Sequence, residues 1–366
     1  MINLKKLLPI AGSLSVLLFL LPGCSSSDET DTVSKSASDT SGYQVPRNSL
    51  GKPDLQGVWD FRTLTPLERP KALGDKAVFS DEEAETFRQT VTAINDTDNK
   101  KDLDLPSEID VEVPYNSFWL DFGDAVGEDR RTSLIVDPAN GRLPELTPEA
   151  MAGRQNYLLR TLPVREFFSI GLNTFRPVGP ESLGLSERCM LGFNAGPPLI
   201  PSAYNNNMRI VQTPGYVVLM TEMIHDARII PMDGSAHLPA AMRRWSGDSR
   251  GHWDGDTLVI ETRNFTDKTP AYQLPNGNVD DPTQIGALGS GKDMKLTERL
   301  TRTGESRLVY EYTLDAPSTF TRPFTVAIEM RPIEDQMYEY ACHEGNHAMI
   351  GMLRGARMME KEEANK

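Results

Sequence analysis

Near the C-terminus, His343-Glu344-Gly345-Asn346-His347 has the H-E-x-x-H spacing that on a helix sets two imidazoles on one side of a zinc ion and supplies a glutamate as general base. That chemistry needs helical geometry through all five residues. Here the segment follows the strand-like run Gln336 to Cys342, and Gly345-Asn346 read as a turn and an N-cap opening a helix with Met349, Ile350 and Leu353 on its apolar side. Neither a metal nor a cofactor is therefore expected.

Two further stretches gather chemistry. In the first, Tyr204-Asn205-Asn206-Asn207 precedes Thr221 to Arg228, and strand alternation puts Glu222, Asp226 and Arg228 on one face with Val218, Met220, Ile224 and Ile230. His225 falls on the other face. A carboxylate among aliphatic neighbours becomes a proton donor through desolvation, or one half of an ion pair if Arg228 meets it. The blander reading is a strand-end salt bridge. In the second stretch, Trp245 to Thr257, two tryptophans stand with Asp248, Arg250, His252, Asp254 and Asp256, a wall suited to a polar organic ligand or sugar. Its Asp254-Gly255 pair is also a preferred centre of a type I′ hairpin turn, and tryptophans beside hairpins commonly pack into cores. The candidate catalytic set is Glu222, His225, Arg228, His343 and Glu344; the candidate ligand-binding set is Asn205, Asn206, Asp226, Arg250 and Trp253. No G-x-S-x-G elbow, Walker loop, dinucleotide fingerprint or C-x-x-C occurs.

The elements that must position these residues are mostly strands. Beyond residue 205, short β-rich runs recur: Met208 to Gln212, Tyr216 to Ile224, Arg228 to Met232, Thr257 to Phe265, Met294 to Arg302, Leu308 to Leu314, Phe324 to Met330 and Gln336 to Cys342. Turn signals such as Thr213-Pro214-Gly215, Asp233-Gly234 and Thr303-Gly304-Glu305 separate them. Met294, Leu296 and Leu300 share a face with Glu298; Leu308, Tyr310, Tyr312 and Leu314 share another. The expected fold is mainly β, an antiparallel meander closing into a barrel or strongly bent sheet, lipocalin-like in general shape. An irregular N-terminal half wraps it, with two or three short helices, and a helix ends the chain. One helix opens on the capping box Ser80-Asp81-Glu82-Glu83 and another on Thr147-Pro148, running to about Leu162. A strand candidate is Gln56 to Phe61.

The chain has 366 residues, a formal charge of −14 and three cysteines. Acidity on that scale repels phosphate backbones, so no nucleic-acid partner is expected. Residues 1–23 read as a secretory signal, with Lys5 and Lys6 before an apolar run from Leu7 to Leu21 that is shorter than the ~20 residues of a membrane-spanning helix. Leu21-Pro22-Gly23-Cys24 resembles the lipobox of bacterial lipoproteins, which implies a lipid on Cys24 as the membrane attachment. Ser25 in place of an aspartate implies the outer membrane, facing the periplasm. Residues 24–45 are a Ser/Asp/Thr-rich tether, and 46–366 a single large folded unit, divided into the wrapping region 46–204 and the meander 205–366 with its helix. In such an oxidising compartment the two remaining cysteines, Cys189 and Cys342, are expected to pair.

The chain also resembles a family of uncharacterised secreted proteins and lipoproteins of bacteria. The resemblance runs through Gly51 to Trp59, Thr65 to Pro70, Arg131 to Pro138, Glu187-Arg188-Cys189, Glu222 to Pro231, Trp245 to Thr257 and Tyr338 to Asn346. It brings no established activity. It supports the Cys189–Cys342 pairing, since both lie in these blocks, and it implies that His343 and Glu344 are the family's polar pair, with an aromatic residue usual in place of His347. The leading expectation is a lipoprotein whose barrel binds a small organic molecule, with acid/base chemistry on it as the further step. The alternatives are a non-catalytic envelope protein and a zinc hydrolase built on His343 to His347.

Overall fold

The computed structural model describes residues 42–96, 118, 120–152, 177–274 and 286–365. Cys24, the leader and most of the tether, Trp119, the charged run 97–110 and most of the helix from Thr147 lie outside them. The chain divides into two units, Met1–Tyr43 and Gln44–Lys366, and every described strand belongs to the second.

Alternation of apolar and polar residues builds a mainly antiparallel β structure. Its strands are β1 (Gly57–Asp60), β2 (Ile135–Asp137), β3 (Asn207–Gln212), β4 (Tyr216–Thr221), β5 (Ala227–Pro231), β6 (Asp248–Asp254), β7 (Thr257–Arg263), β8 (Tyr272–Leu274), β9 (Gly286–Leu288), β10 (Lys295–Gly304), β11 (Arg307–Asp315) and β12 (Phe324–Ile333). The main sheet runs β5-β4-β3-β1-β12-β11-β10-β7-β6, with β2 added to β12, and β8-β9 form a separate ribbon. The hydrogen-bonded path does not close: β5 and β6 are its two ends. Thus the expected β-rich meander is present in pieces, β3-β4-β5 and β10-β11-β12, and a strand from the N-terminal region joins them. Val58 of β1 pairs with Arg209 on one side and Ile333 on the other. The region expected to wrap the sheet therefore supplies one of its interior strands.

The core follows the alternation. Leu308, Tyr310, Tyr312 and Leu314 of β11 are buried, as are Leu296, Glu298 and Leu300 of β10. Trp59 is buried beside them; its Nε1 donates to the Leu55 carbonyl at 2.9 Å, and the Arg302 guanidinium lies 5.7 Å from its ring centre. Burying side chains of this size stabilises the fold by roughly 1.5–3 kcal/mol each.

Helices among the described residues include α1 (Asp81–Asn95), α2 (Cys342–Gly345) and α3 (His347–Ala364). At α1 the capping box forms as read, Ser80 Oγ accepting from the Glu83 amide and the Glu83 carboxylate from the Ser80 amide. Thr147 Oγ1 accepts from the Ala150 amide at the start of a helix whose described part is 148–152.

Three sequence expectations are corrected. Strand β4 stops at Thr221, because Met223–His225 form a 3-10 turn in which Ile224 and His225 have φ of 61° and 44°. The turn ends the alternation that put Glu222, Asp226 and Arg228 on one face. Gln336 to Cys342 is no strand; it lacks a sheet neighbour, and α2 begins at Cys342. The β6-β7 hairpin is centred on Gly255-Asp256, since Asp254 pairs with Thr257, and Gly255 takes the positive φ of 60°.

Candidate functional site

Glu298 projects from β10 into the core between Leu296 and Leu300 and is fully buried. Its charge is met by Arg228 of β5, whose two terminal nitrogens donate to the two carboxylate oxygens at 2.8 Å each. The Tyr310 hydroxyl donates to the same carboxylate at 2.7 Å and accepts from the Leu199 amide at 3.2 Å. Burial works against the Arg228 cation, but Glu298 beside it outweighs that cost and holds its pKa above the ordinary arginine value. Burial, then the Glu298 charge, pushes the Tyr310 hydroxyl well above the usual tyrosine range, so it stays a donor. Next to it the hydroxyls of Tyr272 and Tyr312 lie 2.7 Å apart, both raised chiefly by burial.

Arg228 also lines a cleft of about 600 Å³ between β5 and β6. No ladder joins these end strands. Even so, a Cβ on Gly251 of β6 would meet Met232 Sδ at 2.5 Å and Ile230 Cγ2 at 2.9 Å, so only a glycine lets the two strands approach this closely. Asp226, Arg228, Arg244, Trp245, Asp248 and Arg250 supply the polar wall of the cleft. Asp248 accepts from the Leu238 amide at 2.9 Å, lies 3.0 Å from His237 Nδ1 and pairs with Arg250 at 2.9 Å. Burial opposes its charge, but these partners prevail and hold its carboxyl below the ordinary range. Asp226 accepts from the Ala227 amide at 2.9 Å and from Ser246 Oγ at 3.3 Å.

Of the residues singled out in the sequence, the structure brings Asp226, Arg228 and Arg250 together at this cleft. It does not bring the others there. Glu222 is buried at the start of the 3-10 turn, accepting from Asn207 Nδ2 at 2.6 Å and the Tyr338 amide at 3.3 Å. His225 is exposed, 3.9 Å from Glu339. His343 and Glu344 are exposed on α2, and the five-residue motif is split at Asn346 between α2 and α3. Among the described residues no group of three or more His, Cys, Asp or Glu is arranged to hold a metal ion. Asn206 is buried and bonded to the backbone of Ser202 and Asp121, Asn205 takes a positive φ of 55°, and Trp253 packs against the main core. The site residues missed were Glu298, Tyr310, Arg244 and His237. Glu298 carried a signal, being a charge set between Leu296 and Leu300 on the apolar face of its strand; the others carried none.

Cys189 and Cys342 stand at disulfide distance, with Cα atoms 5.7 Å apart. The bond ties the C-terminal segment to a small second core, where Met223 and Ile224 pack with Ala195, Tyr204, Tyr340 and Cys342. Tyr204 stacks on Tyr340 with ring centres 6.4 Å apart. The left-handed turn that ends β4 is therefore held from outside by residues more than a hundred positions later. Among the described residues no helix is long and apolar enough to cross a membrane. Set against protein-family models, the curated proteins and the solved structures, the chain matches none.

Proposed function

We infer that the protein binds a small organic ligand in the cleft between β5 and β6. The observation that carries this reading is the convergence of Asp226, Arg228, Arg244, Trp245, Asp248 and Arg250 around one cavity of ligand size. The cavity lies where two sheet edges meet without a ladder, so its width is not fixed by hydrogen bonds between strands. We also read the sheet as bent into a barrel. Arg228 on one end strand reaches Glu298 on β10, with five strands between them in the ladder order, and Gly251 of the other end strand lies against Ile230 and Met232. A flat sheet would hold these residues far apart.

Binding accounts for the cleft better than acid/base turnover does. The carboxylate most firmly held there, Asp248, is kept ionised by its partners and is unsuited to give up a proton near neutral pH. In the cell we place the protein on the outer membrane, facing the periplasm, by a lipid on Cys24; labelled palmitate should enter the full-length protein and be lost in Cys24→Ser. The cleft itself is tested by ligand-observed NMR with a diverse fragment library. Fragments should bind the full-length protein and fail to bind Ser246→Trp, whose bulk fills the cavity, at unchanged Tm. Equal binding to both proteins, or no binding to either, would remove the reading.

A further inference from the structure

Two adjacent arginines, Arg243 and Arg244, have opposite fates, and of the two Arg244 lines the cleft. Arg243 is spent on the body of the protein, donating to the carbonyls of Phe265 at 2.8 Å and Lys292 at 2.6 Å. Arg244 has a fixed backbone: its amide donates to the Asn264 carbonyl at 2.9 Å, and its carbonyl accepts from Thr266 at 3.0 Å and Gly247 at 3.3 Å. Its side chain is exposed on the cleft wall, and among the described residues no hydrogen bond or ion pair engages its guanidinium. The other two arginines of the cleft are already answered, Arg228 by Glu298 and Arg250 by Asp248. Asp248 in turn is saturated by His237, Leu238 and Arg250. Asp226, held by Ser246 and the Ala227 amide, lies close enough for its charge to act on Arg228.

We propose that Arg244 is the anion-binding residue of the cleft and that the ligand is a small organic carboxylate with an apolar or aromatic body. This rests on the cleft being the ligand site. A guanidinium offers a planar fork of donors that matches a carboxylate in two parallel hydrogen bonds. Anchoring the backbone of Arg244 on three hydrogen bonds while leaving its side chain unengaged keeps that fork available at one place. The body of the ligand has an apolar surface to rest on, since Met190, Ile229 and Leu238 line the same cavity and half-buried Trp245 follows Arg244 in the chain.

The test uses the full-length protein and two probes of one shape, 4-phenylbutanoate and 4-phenylbutanamide, titrated by NMR or calorimetry. The carboxylate should bind about 10–100-fold more tightly than the amide, the range expected for a charge-assisted bidentate contact. Arg244→Gln should abolish that preference while leaving amide binding unchanged, and Arg354→Gln, an exposed arginine on α3, should preserve it. Equal affinity for both probes, or a preference that survives Arg244→Gln, overturns the proposal. If both probes bind equally and both are blocked in Ser246→Trp, the cleft stands as the site and only the anion assignment falls. If the carboxylate does not bind at millimolar concentration, the anion assignment falls, and the fragment screen decides the cleft separately.

Discussion

Arg228 and Glu298 form a pair whose two halves differ in what their loss would do. Arg228→Met leaves a carboxylate in the core with only the Tyr310 hydroxyl to answer it, and should lower stability by about 3–5 kcal/mol in denaturant unfolding. Adding Glu298→Gln removes the orphaned charge and keeps an acceptor for Tyr310, so the double variant should recover most of that loss. A double variant no more stable than Arg228→Met would mean the pair is not coupled as described. Asp248 gives a prediction in pH. Its folded carboxyl sits below the ordinary value of 3.8, so its ionised form stabilises the fold above that pH, and the contribution is lost as pH falls through the lower folded value. Asp248→Asn should therefore melt earlier than the unaltered protein at pH 7, and the two melting temperatures should draw together below about pH 4. A gap that stays constant from pH 7 to pH 3 would show that the amide fails for reasons of shape and not of charge.

At the scale of elements, the contact of β6 with β5 depends on Gly251. A valine there would collide with Met232 and Ile230, and overpacking of this kind costs about 1–3 kcal/mol. Gly251→Val should lower Tm and alter fragment binding in the adjoining cleft, whereas a substitution at Gly215, which has open space, should do neither. The strands that position the cleft were legible where alternation is strict. In β10 and β11 each inward residue was readable, and Glu298 stood out as a charge in an apolar row. Its partner was not readable, because Arg228 lies 70 residues earlier, on a strand that does not pair with β10. Alternation misled where a local pattern outran its support. Tyr216 to Ile224 reads as one strand, yet Tyr204, Tyr340 and Cys342 hold Met223 and Ile224 in a turn that no local preference specifies. Tyr338 to Cys342 has strand-forming residues but no strand to pair with, and it serves instead as packing for that turn.

For the molecule as a whole, the Cys189–Cys342 link closes a long stretch of chain, which in the chain-entropy picture is worth about 4–5 kcal/mol. Cys189→Ser with Cys342→Ser should lower the unfolding midpoint and open a protease-sensitive site between Ile333 and Tyr340; equal resistance in the oxidised and mutant proteins would argue that packing alone retains the segment. The position of β1 has a different consequence, for the order in which the molecule can be made. A chain delivered N-terminus first presents Gly57–Asp60 long before either neighbour exists, since β3 begins at Asn207 and β12 at Phe324. Strand β1 must therefore wait unpaired until β3 emerges and keep one edge open until β12 follows, a hazard for any emerging strand and a reason to keep the nascent chain shielded. Refolding governed by so distant a pairing belongs to the slow, milliseconds-to-seconds class of β topologies, and losing the few residues of β1 would break the hydrogen-bonded path between β3-β4-β5 and the other strands of the sheet.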